Sequence, residues 1–541
     1  MDDNTIDTYL QDFVRETSDI VKIKTYRRGD LEEKTVQANI QKIQDYLKKS
    51  AREFNETQTN LKLNDFSWSK DPYALDGFKL GTGAQRFWLI SHLDTVPPAG
   101  DDWGPFDPKV EDREYRGKKT SFLKGRGALD DKGPAILAFN VLKAVAKHFD
   151  NEPARLKDIT IEVLFDTSEE TDMSMPHYFE TLKDDEKPFF GIVFDGVWSI
   201  RAEKGVERPS FTIQRGVEKL KGIWIDSLTA GQNGSVNQIP STAVATIKGD
   251  AEALSRFGET IEKAYKEFGF DDPSYKRAEL QVSRNIDQVD LTTLVSGAQH
   301  GSAPDENREN GANPLVSLAN FLAHVVDTGE LAENAVGGMC QFIAWGWGTR
   351  VFGESHPELL ERYDEVFQKE NGTTYALTFF ETTTSAVTLA LDIRYALGHH
   401  SEPWIGDEGL LPGTSVFSKI FEALVKRFND QKQGLAVTVQ TKMAYAPDVR
   451  NPNNPNMVKV LRAYKKVTGQ ASDLVAVGGG TDAKGHPELL AVGPLFLDRL
   501  GPPVNYHGIN EGAPIDDLET SAKILYRLIV DEVVPPVPRK S

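Results

Sequence analysis

The sequence predicts an α/β domain with a mixed, largely parallel sheet flanked by helices, together with an inserted α+β domain. Short apolar runs alternate with helical patterns toward both ends of the chain, an order typical of strands that helices connect in a parallel sheet. Between them, alternating strands separate amphipathic helices. We therefore expect a discontinuous first domain at 1–206 and 446–541, interrupted by an insert at 207–445.

The elements of the first domain follow from local patterns of apolar residues. Apolar residues at three- and four-residue spacing predict helices at 3–22 and 35–54. Short apolar runs predict buried strands, namely Arg86–Ser91, Asp158–Phe165, Phe189–Phe194, Asp473–Val477 and Leu489–Val492. Two more helices are predicted between these strands, at Gly133–His148 and Pro455–Thr468.

The insert has its own strands and helices. Its predicted strands are Ser210–Gln214, Thr242–Lys248, Glu279–Val282, Ala386–Tyr395 and Leu435–Lys442. Its predicted helices are Ala251–Phe268 and Pro314–Val326. The turn-rich segment Asp448–Pro455 then leads back into the first domain.

Composition excludes several classes of function. The net charge of −19 argues against nucleic acid as a partner, because an acidic protein repels phosphate. The N-terminus lacks the basic and apolar regions of a secretory signal, and no apolar run is long enough to span a membrane. Cys340 is the single cysteine, so an intrachain disulfide is excluded. We expect a cytoplasmic protein with no membrane partner.

Polar residues that can bind a metal follow the predicted strands. They are His92 and Asp94, Asp130, Glu169 and Glu170, Asp195, and the late His507. In open α/β sheets, ligands bind beyond the carboxyl ends of the strands, so these side chains can converge. Imidazole and carboxylate suit zinc, with Mn²⁺ or Co²⁺ as alternatives. The set exceeds one tetrahedral site and predicts two ions about 3.5–4 Å apart, with a bridging carboxylate.

Each of these motifs also has a structural interpretation by itself. The His-Leu-Asp triplet could form a turn, the glycines around residue 127 could form a tight turn before a helix, and Glu169-Glu170 could be a solvated pair. Their joint order and their placement after strands favour a site.

The ordered motifs SHLDTVP, GRGALDDKG, SEE, FDG and YHGINE resemble the clan MH di-zinc peptidases, which include carboxypeptidase G, aminoacylase and carnosinase. The resemblance covers nearly the whole chain. It is greatest to the bacterial dipeptidase V branch, through PHYFE, RAEKG and GGGTDAK. It implies a zinc-peptidase catalytic domain with an inserted α+β lid domain.

The resemblance also implies a role for each motif residue of the first domain. His92, Asp130 and Asp195 would bind one zinc ion, Glu170 and His507 the other, and Asp130 would bridge the two. Asp94 would hold the imidazole of His92. Glu169 would be the general base and acid. The Asp130–Asp131 peptide bond is expected to be cis.

In the insert, the resemblance points to NQIP, GAQHGSAP and DIRY. His300 would stabilise the tetrahedral intermediate, a task that the matching histidine performs across the subunit interface in many dimeric members. Dipeptidase V has an enlarged lid that mimics the dimer within one chain. The long insert here therefore predicts a monomer in which His300 acts in its own chain.

Substrate contacts are predicted from the same resemblance. Arg394 would hold the substrate carboxylate with its guanidinium fork, the alternative being a strand-edge salt bridge. The backbone N–H groups of Gly478, Gly479 and Gly480 would assist, the alternative being a flexible turn. Asn233 and Asn237 are further candidates for polar contacts in the lid. Extra sequence at Trp345–Thr373 and Ala396–Gly413 departs from the dipeptidase V pattern and leaves side-chain preference open.

Three functions are compatible with these residues. The first is zinc-dependent hydrolysis of dipeptides, or of similar small amides with a free C-terminal carboxylate. The second is an N-acyl-amino-acid deacylase or carboxypeptidase-type amidohydrolase with the same metal site. The third, a catalytically inactive binding protein, is disfavoured because every predicted ligand and Glu169 are present.

Overall fold

A computed structural model describes most of the chain, and all structural statements concern the residues it describes. These are residues 4–27, 31–98, 102–171, 173–216, 220–231, 237–295, 300–305, 313–360, 362–369, 372–399, 415–432, 434–484, 486–496 and 503–535, without the side chains of residues 442 and 443. The fold is a mixed α/β fold in which helices flank the sheets. The chain divides into two compact units, which are described separately.

The first unit comprises Met1–Glu203 and Asp448–Ser541, and the second comprises Lys204–Trp404 and Leu410–Pro447. The helices are α1 (Asn4–Leu10), α2 (Phe13–Val21), α3 (Glu33–Glu56), α4 (Lys132–Phe149), α5 (Met175–Phe179), α6 (Ala251–Glu267), α7 (Pro314–Asp327), α8 (Ala335–Gly346), α9 (Ser418–Gln431), α10 (Pro455–Thr468) and α11 (Ile515–Arg527).

The strands are β1 (Asn64–Lys70), β2 (Tyr73–Gly81), β3 (Gln85–His92), β4 (Lys109–Tyr115), β5 (Lys118–Lys124), β6 (Ile159–Asp166), β7 (Phe190–Val193), β8 (Ile200–Glu203), β9 (Gly205–Gln214), β10 (Ile223–Ala230), β11 (Thr242–Gly249), β12 (Glu279–Arg284), β13 (Gln288–Leu294), β14 (Thr374–Thr382), β15 (Ala386–Tyr395), β16 (Val437–Tyr445), β17 (Asp448–Val449), β18 (Val475–Val477), β19 (Leu489–Ala491) and β20 (Gly512–Pro514).

A six-stranded sheet with the order β1-β2-β6-β3-β7-β19 forms the centre of the first unit. Strand β3 is parallel to β6 and to β7, and β7 is parallel to β19. Strand β2 is antiparallel to both of its neighbours, β1 and β6. Every residue of β6 and β7 is buried. Burial on both faces explains why these strands are continuous apolar runs. The prediction of a mixed, largely parallel sheet is confirmed.

Two predicted elements differ from the structure. The predicted helix at 3–22 is two helices, α1 and α2, which a turn at Gln11 and Asp12 separates. Both helices pack on α4. The run Asp473–Val477 is not a buried strand of the main sheet. Only Val475–Val477 pairs, in a three-stranded sheet beside β8, and its residues are half-buried.

The second unit is built on an eight-stranded antiparallel sheet with the order β12-β13-β11-β10-β14-β15-β9-β16. Two four-stranded halves meet where β10 pairs with β14. Helices α6 to α9 pack on the sheet and bury its apolar residues in a core of their own. Helix α7 begins at Pro314, where the Asn313 side chain accepts from two backbone N–H groups and so caps the helix.

Within the described residues, no helix is both long and apolar enough to cross a membrane.

Candidate metal centre

The carboxyl ends of three neighbouring parallel strands carry most of the predicted site residues. His92 is the last residue of β3 and pairs in register with Asp166, the last residue of β6. Glu169 and Glu170 follow β6, and Asp195 follows β7 two residues after its end. Since β3 lies between β6 and β7, these side chains emerge at the same edge of the sheet.

Five of these residues form two groups that share Asp130. In one group, His92 Nε2 lies 2.9 Å from Asp130 Oδ1 and 3.8 Å from Asp195 Oδ2. In the other, His507 Nε2 lies 2.7 Å from Asp130 Oδ2 and 3.0 Å from Glu170 Oε1. The two oxygen atoms of Asp130 therefore face different imidazoles.

This donor set fits a pair of divalent cations. Within each group of three, the candidate ligand atoms lie within 4.8 Å of one another. All five side chains are buried. Buried carboxylates need compensating positive charge, and two imidazoles with three carboxylates match the ligands that zinc prefers.

The electrostatics of the centre also favour cations. Burial, and then the charge of Asp130, raise the pKa of Asp195 to about 7. Burial also raises the pKa of Glu170. Burial alone lowers the pKa of the His507 imidazole, but the charges of Glu170 and Asp130 raise it to about 10. Negative charge on neighbouring carboxylates contributes to each of these shifts, and a divalent cation would offset that charge.

Glu169 lies beside the two groups. Its Oε2 is 4.0 Å from His92 Nε2, and its backbone N–H donates to Asp94 Oδ1 at 3.1 Å. The Glu170 N–H donates to Asp94 Oδ2 at 3.2 Å. Asp94 therefore fixes the backbone of both glutamates, a role that the sequence did not indicate.

The imidazole of His92 is held by Asp94 in two ways. Nδ1 lies 3.1 Å from the Asp94 carbonyl oxygen and 3.4 Å from its Oδ1. A proton on Nδ1, donated to either oxygen, leaves the lone pair of Nε2 directed toward Asp130 and Asp195, as metal binding requires.

The Asp130–Asp131 peptide bond is cis, as predicted. The Asp131 carboxylate turns toward β3, where Oδ2 accepts the His92 backbone N–H at 2.9 Å. It contributes no ligand to the two groups that share Asp130. Its role is to connect the Asp130 turn to the strand that carries His92.

A buried ion pair that the sequence did not predict supports the centre from behind. Arg126 pairs with Glu511, and both are fully buried. Glu511 Oε1 accepts from three backbone N–H groups of the Asp130 turn, those of Gly127, Leu129 and Asp130, at 2.9–3.3 Å. Arg126 Nη2 donates to the carbonyl oxygens of His507 and Gly508, at 2.9 and 3.1 Å. The feature of the sequence that pointed to these two residues is that Arg126 lies within the GRGALDDKG motif and Glu511 within YHGINEG.

Two further residues near the centre were also missed. The Tyr506 hydroxyl donates to Asp195 Oδ1, next to the predicted ligand His507. Asp482 is buried, and burial together with the charge of Asp166 raises its pKa well above the usual range. Burial is the largest cause of the raised pKa of Glu169, and the charges of Glu170, Asp195 and Asp482 raise it further. The GGGTDAK motif therefore lies within electrostatic reach of the centre.

The glycine segment Gly478–Gly480 directly follows β18. Beyond it, the Thr481 hydroxyl donates to the buried Glu203 Oε1 at 2.8 Å. A β-carbon on Gly480 would lie 2.8 Å from Lys484 Cε, so glycine allows this lysine to pack against the loop. These contacts anchor the C-terminal end of the segment.

The second unit brings its predicted residues together. Gln238 and His300 form a β-bridge, and the Gly301 N–H donates to the Asn237 carbonyl oxygen at 2.7 Å. The Ser302 backbone N–H lies 3.0 Å from His300 Nδ1, which must then accept. A neutral imidazole with an accepting Nδ1 carries its proton on Nε2, which makes Nε2 a donor.

Arg394 forms an ion pair within its own strand. Its Nε and Nη2 donate to the Asp392 carboxylate at 3.0–3.1 Å. The salt bridge that the alternative interpretation predicts is therefore present, although β15 lies between β14 and β9 and not at an edge of the sheet. A β-carbon on Gly301 would lie 2.5 Å from Asp392 Oδ2, which places this pair beside the His300 loop.

Two weaker predictions fall outside the described residues. Asn233 lies in the gap at 232–236 and most of the extra segment Ala396–Gly413 lies in the gap at 400–414.

Known proteins resemble the chain in sequence and in fold. The model of "Peptidase family M20/M25/M40" matches residues 88–531. "Putative dipeptidase YtjP" of Bacillus subtilis (strain 168) is 25% identical over 473 residues, which cover 84% of this chain and 86% of the relative. "Putative dipeptidase SSP1012" of Staphylococcus saprophyticus is 25% identical over 468 residues, with coverage of 84% and 85%.

Two solved structures share the fold. Human carnosine dipeptidase 1 superposes with a TM-score of 0.54 at 13% identity, over 98% of this chain and 97% of that one. The dipeptidase Dug1p from Saccharomyces cerevisiae superposes with a TM-score of 0.52 at 13% identity, over 97% of each chain.

Proposed function

Because the chain belongs to the peptidase family M20/M25/M40, we propose that it hydrolyses dipeptides, or small amides of similar size, that end in a free carboxylate. The observation that carries the proposal is the geometry of the centre. Two groups of metal-binding side chains share Asp130, and Glu169 lies beside them. The names of the dipeptidases that resemble the chain support the same substrate class.

The centre would hold two divalent cations, zinc with manganese or cobalt as alternatives. His92, Asp130 and Asp195 would bind one ion, and Asp130, Glu170 and His507 the other. When bound, such ions supply Lewis-acid chemistry, which polarises a carbonyl group and lowers the pKa of a bound water molecule to about 7.

Glu169 would carry the proton. Its carboxylate takes a proton from the attacking water and passes it to the leaving amine as the amide bond breaks. The backbone hydrogen bonds from Glu169 and Glu170 to Asp94 support this role, because they hold the general base and a ligand in a fixed relation.

The second unit would supply the other substrate contacts. His300 would donate from Nε2 to the oxygen that gains negative charge in the transition state. Arg394 would bind the substrate carboxylate, and the N–H groups of Gly478–Gly480 would assist. Asn237 would contact the polar part of the substrate. Binding of that carboxylate would place the cleaved amide bond next to the C-terminal residue of the substrate.

The test is hydrolysis of a small panel by the full-length protein. The panel contains Ala-Ala, β-Ala-His, N-acetyl-methionine and an acyl-glutamate, each with zinc, with manganese and with a chelator. We expect cleavage of the free dipeptides and its loss with the chelator.

Glu169→Gln should lower kcat by a factor of about 10²–10⁴ while metal content is retained. Glu180→Gln, an exposed glutamate that follows α5, is the matched control and should behave as the wild type. Cleavage of blocked substrates alone would move the protein to the deacylase function with the same centre. No turnover by protein that holds two metal ions would contradict the proposal.

A further inference from the structure

We propose that Arg208 sets the affinity of the enzyme for the substrate carboxylate, because it shares the Asp392 carboxylate with Arg394. This inference rests on the proposed function, in which Arg394 binds that carboxylate. Arg208 lies outside every motif on which the sequence prediction was based.

The contact joins two neighbouring strands. Asp392 and Arg394 belong to β15, and Arg208 belongs to β9, which pairs with β15 along its length. Arg208 Nε lies 3.7 Å from Asp392 Oδ1, on the carboxylate that also accepts from Arg394. The side chains of Asp392, Arg394 and Arg208 are 0%, 5% and 13% exposed, so solvent screens these charges weakly.

The charges of the three groups decide what Arg394 can do. Asp392 and Arg394 alone form a neutral pair, which attracts an anion weakly. Addition of Arg208 gives the three side chains a net charge of +1. A substrate carboxylate then brings the group to neutrality, whereas without Arg208 it would add a second negative charge to a neutral pair. Arg208 thus acts through charge, and Arg394 supplies the hydrogen-bonding fork.

The three side chains lie beside the loop that carries His300. Gly301 leaves no room for a β-carbon, which would stand 2.5 Å from Asp392 Oδ2 and 2.8 Å from the Asn237 carbonyl oxygen. The charged group and the proposed oxyanion donor therefore occupy one neighbourhood within the second unit.

The experiment compares a substrate with and without the carboxylate. Arg208→Met is assayed with Ala-Ala and with the Ala-Ala amide. We expect kcat/KM for Ala-Ala to fall about ten-fold, through KM and with kcat unchanged, because one nearby positive charge is lost. The value for the amide should change little. Arg208→Lys, which restores the charge, should recover most of the affinity.

Arg215→Met is the matched control. Arg215 follows the end of the same strand and donates to the Thr383 carbonyl oxygen, so its replacement removes one positive charge outside the Asp392 group. It should leave both substrates unaffected. Because the three side chains are largely buried, added salt should change the difference between wild type and Arg208→Met little.

Calorimetric titration with the product alanine and with alanine amide makes the same comparison without turnover. A wild type that hydrolyses neither substrate would contradict the proposed function. Equal loss for acid and amide in Arg208→Met, or equal affinity of the wild type for alanine and alanine amide, would overturn the role of Arg208.

Discussion

Arg126 and Glu511 connect the two loops that carry Asp130 and His507. Glu511 accepts hydrogen bonds from three backbone N–H groups of the first loop, and Arg126 donates to the His507 carbonyl oxygen in the second. Their hydrogen bonds to the candidate ligands Asp130 and His507 are made to backbone atoms. Their effect on the centre is through backbone position, as is common for groups that orient metal ligands.

We therefore predict that Glu511→Gln weakens metal binding about 10–100-fold. The amide keeps the size of the side chain, but it removes the charge that pairs with Arg126 and presents an N–H₂ group to donors. The measurement is metal content after dialysis against buffers of defined free zinc. Glu519→Gln, on α11, is the control and should keep the wild-type metal affinity. Unchanged affinity in Glu511→Gln would mean that the loops hold their positions without the pair.

The sequence indicated the ligand candidates better than the residues that support them. His92, Glu170 and Asp195 were identifiable because their types suit a metal and because each follows an apolar strand. Arg126 and Glu511 lie 385 positions apart, so their place within two motifs marks each loop but does not reveal that the two side chains meet. Asp94 was assigned to the imidazole alone, although its carboxylate also binds two backbone N–H groups across the sheet edge.

At the scale of elements, the turn before α4 illustrates a conflict between propensity and packing. Gly133 lies in the first turn of α4, where alanine would favour the helix by about 1 kcal/mol. A β-carbon at Gly133 would stand 2.0 Å from the Ala128 carbonyl oxygen. Backbone atoms cannot move aside as a flexible side chain can, so the steric cost should exceed the gain.

We predict that Gly133→Ala destabilises the protein by about 3 kcal/mol, a typical cost of overpacking. Thermal unfolding should show a lower midpoint, with a loss of metal content because the displaced turn carries Asp130. Gly346→Ala in α8 is the control, since a β-carbon there meets no atom within 4 Å. It should leave the midpoint unchanged or raise it slightly. Equal behaviour of the two variants would show that the turn adjusts freely.

Strands that are buried on both faces were the easiest elements to predict. The apolar runs of β3, β6 and β7 were found within a few residues of their observed bounds. Strand β1, with the sequence NDFSWSK, was missed because it lies at the sheet edge and most of its residues are exposed. The prediction of a buried strand at Asp473–Val477 was wrong in its length and burial, since β18 covers only Val475–Val477 and these residues are half-buried.

At the scale of the whole molecule, the long insert has a structural counterpart. The eight-stranded sheet of the second unit consists of two four-stranded halves, each covered by helices and joined where β10 meets β14. Such a double arrangement within one chain is what an enlarged lid that mimics a dimer would need. It supports the prediction that His300 serves a site of its own chain rather than that of a partner.

A mixing experiment tests this prediction. Glu169→Gln and His300→Ala should each be nearly inactive. If His300 acts in its own chain, unfolding and refolding the two variants together restores no activity, because every chain lacks one of the two groups. If His300 instead reached across a symmetric dimer, half of the randomly formed dimers would be mixed and each would contain one complete site, so about one quarter of wild-type activity would return. Co-refolded wild type controls for losses in recovery, and recovery of that fraction would contradict the monomer.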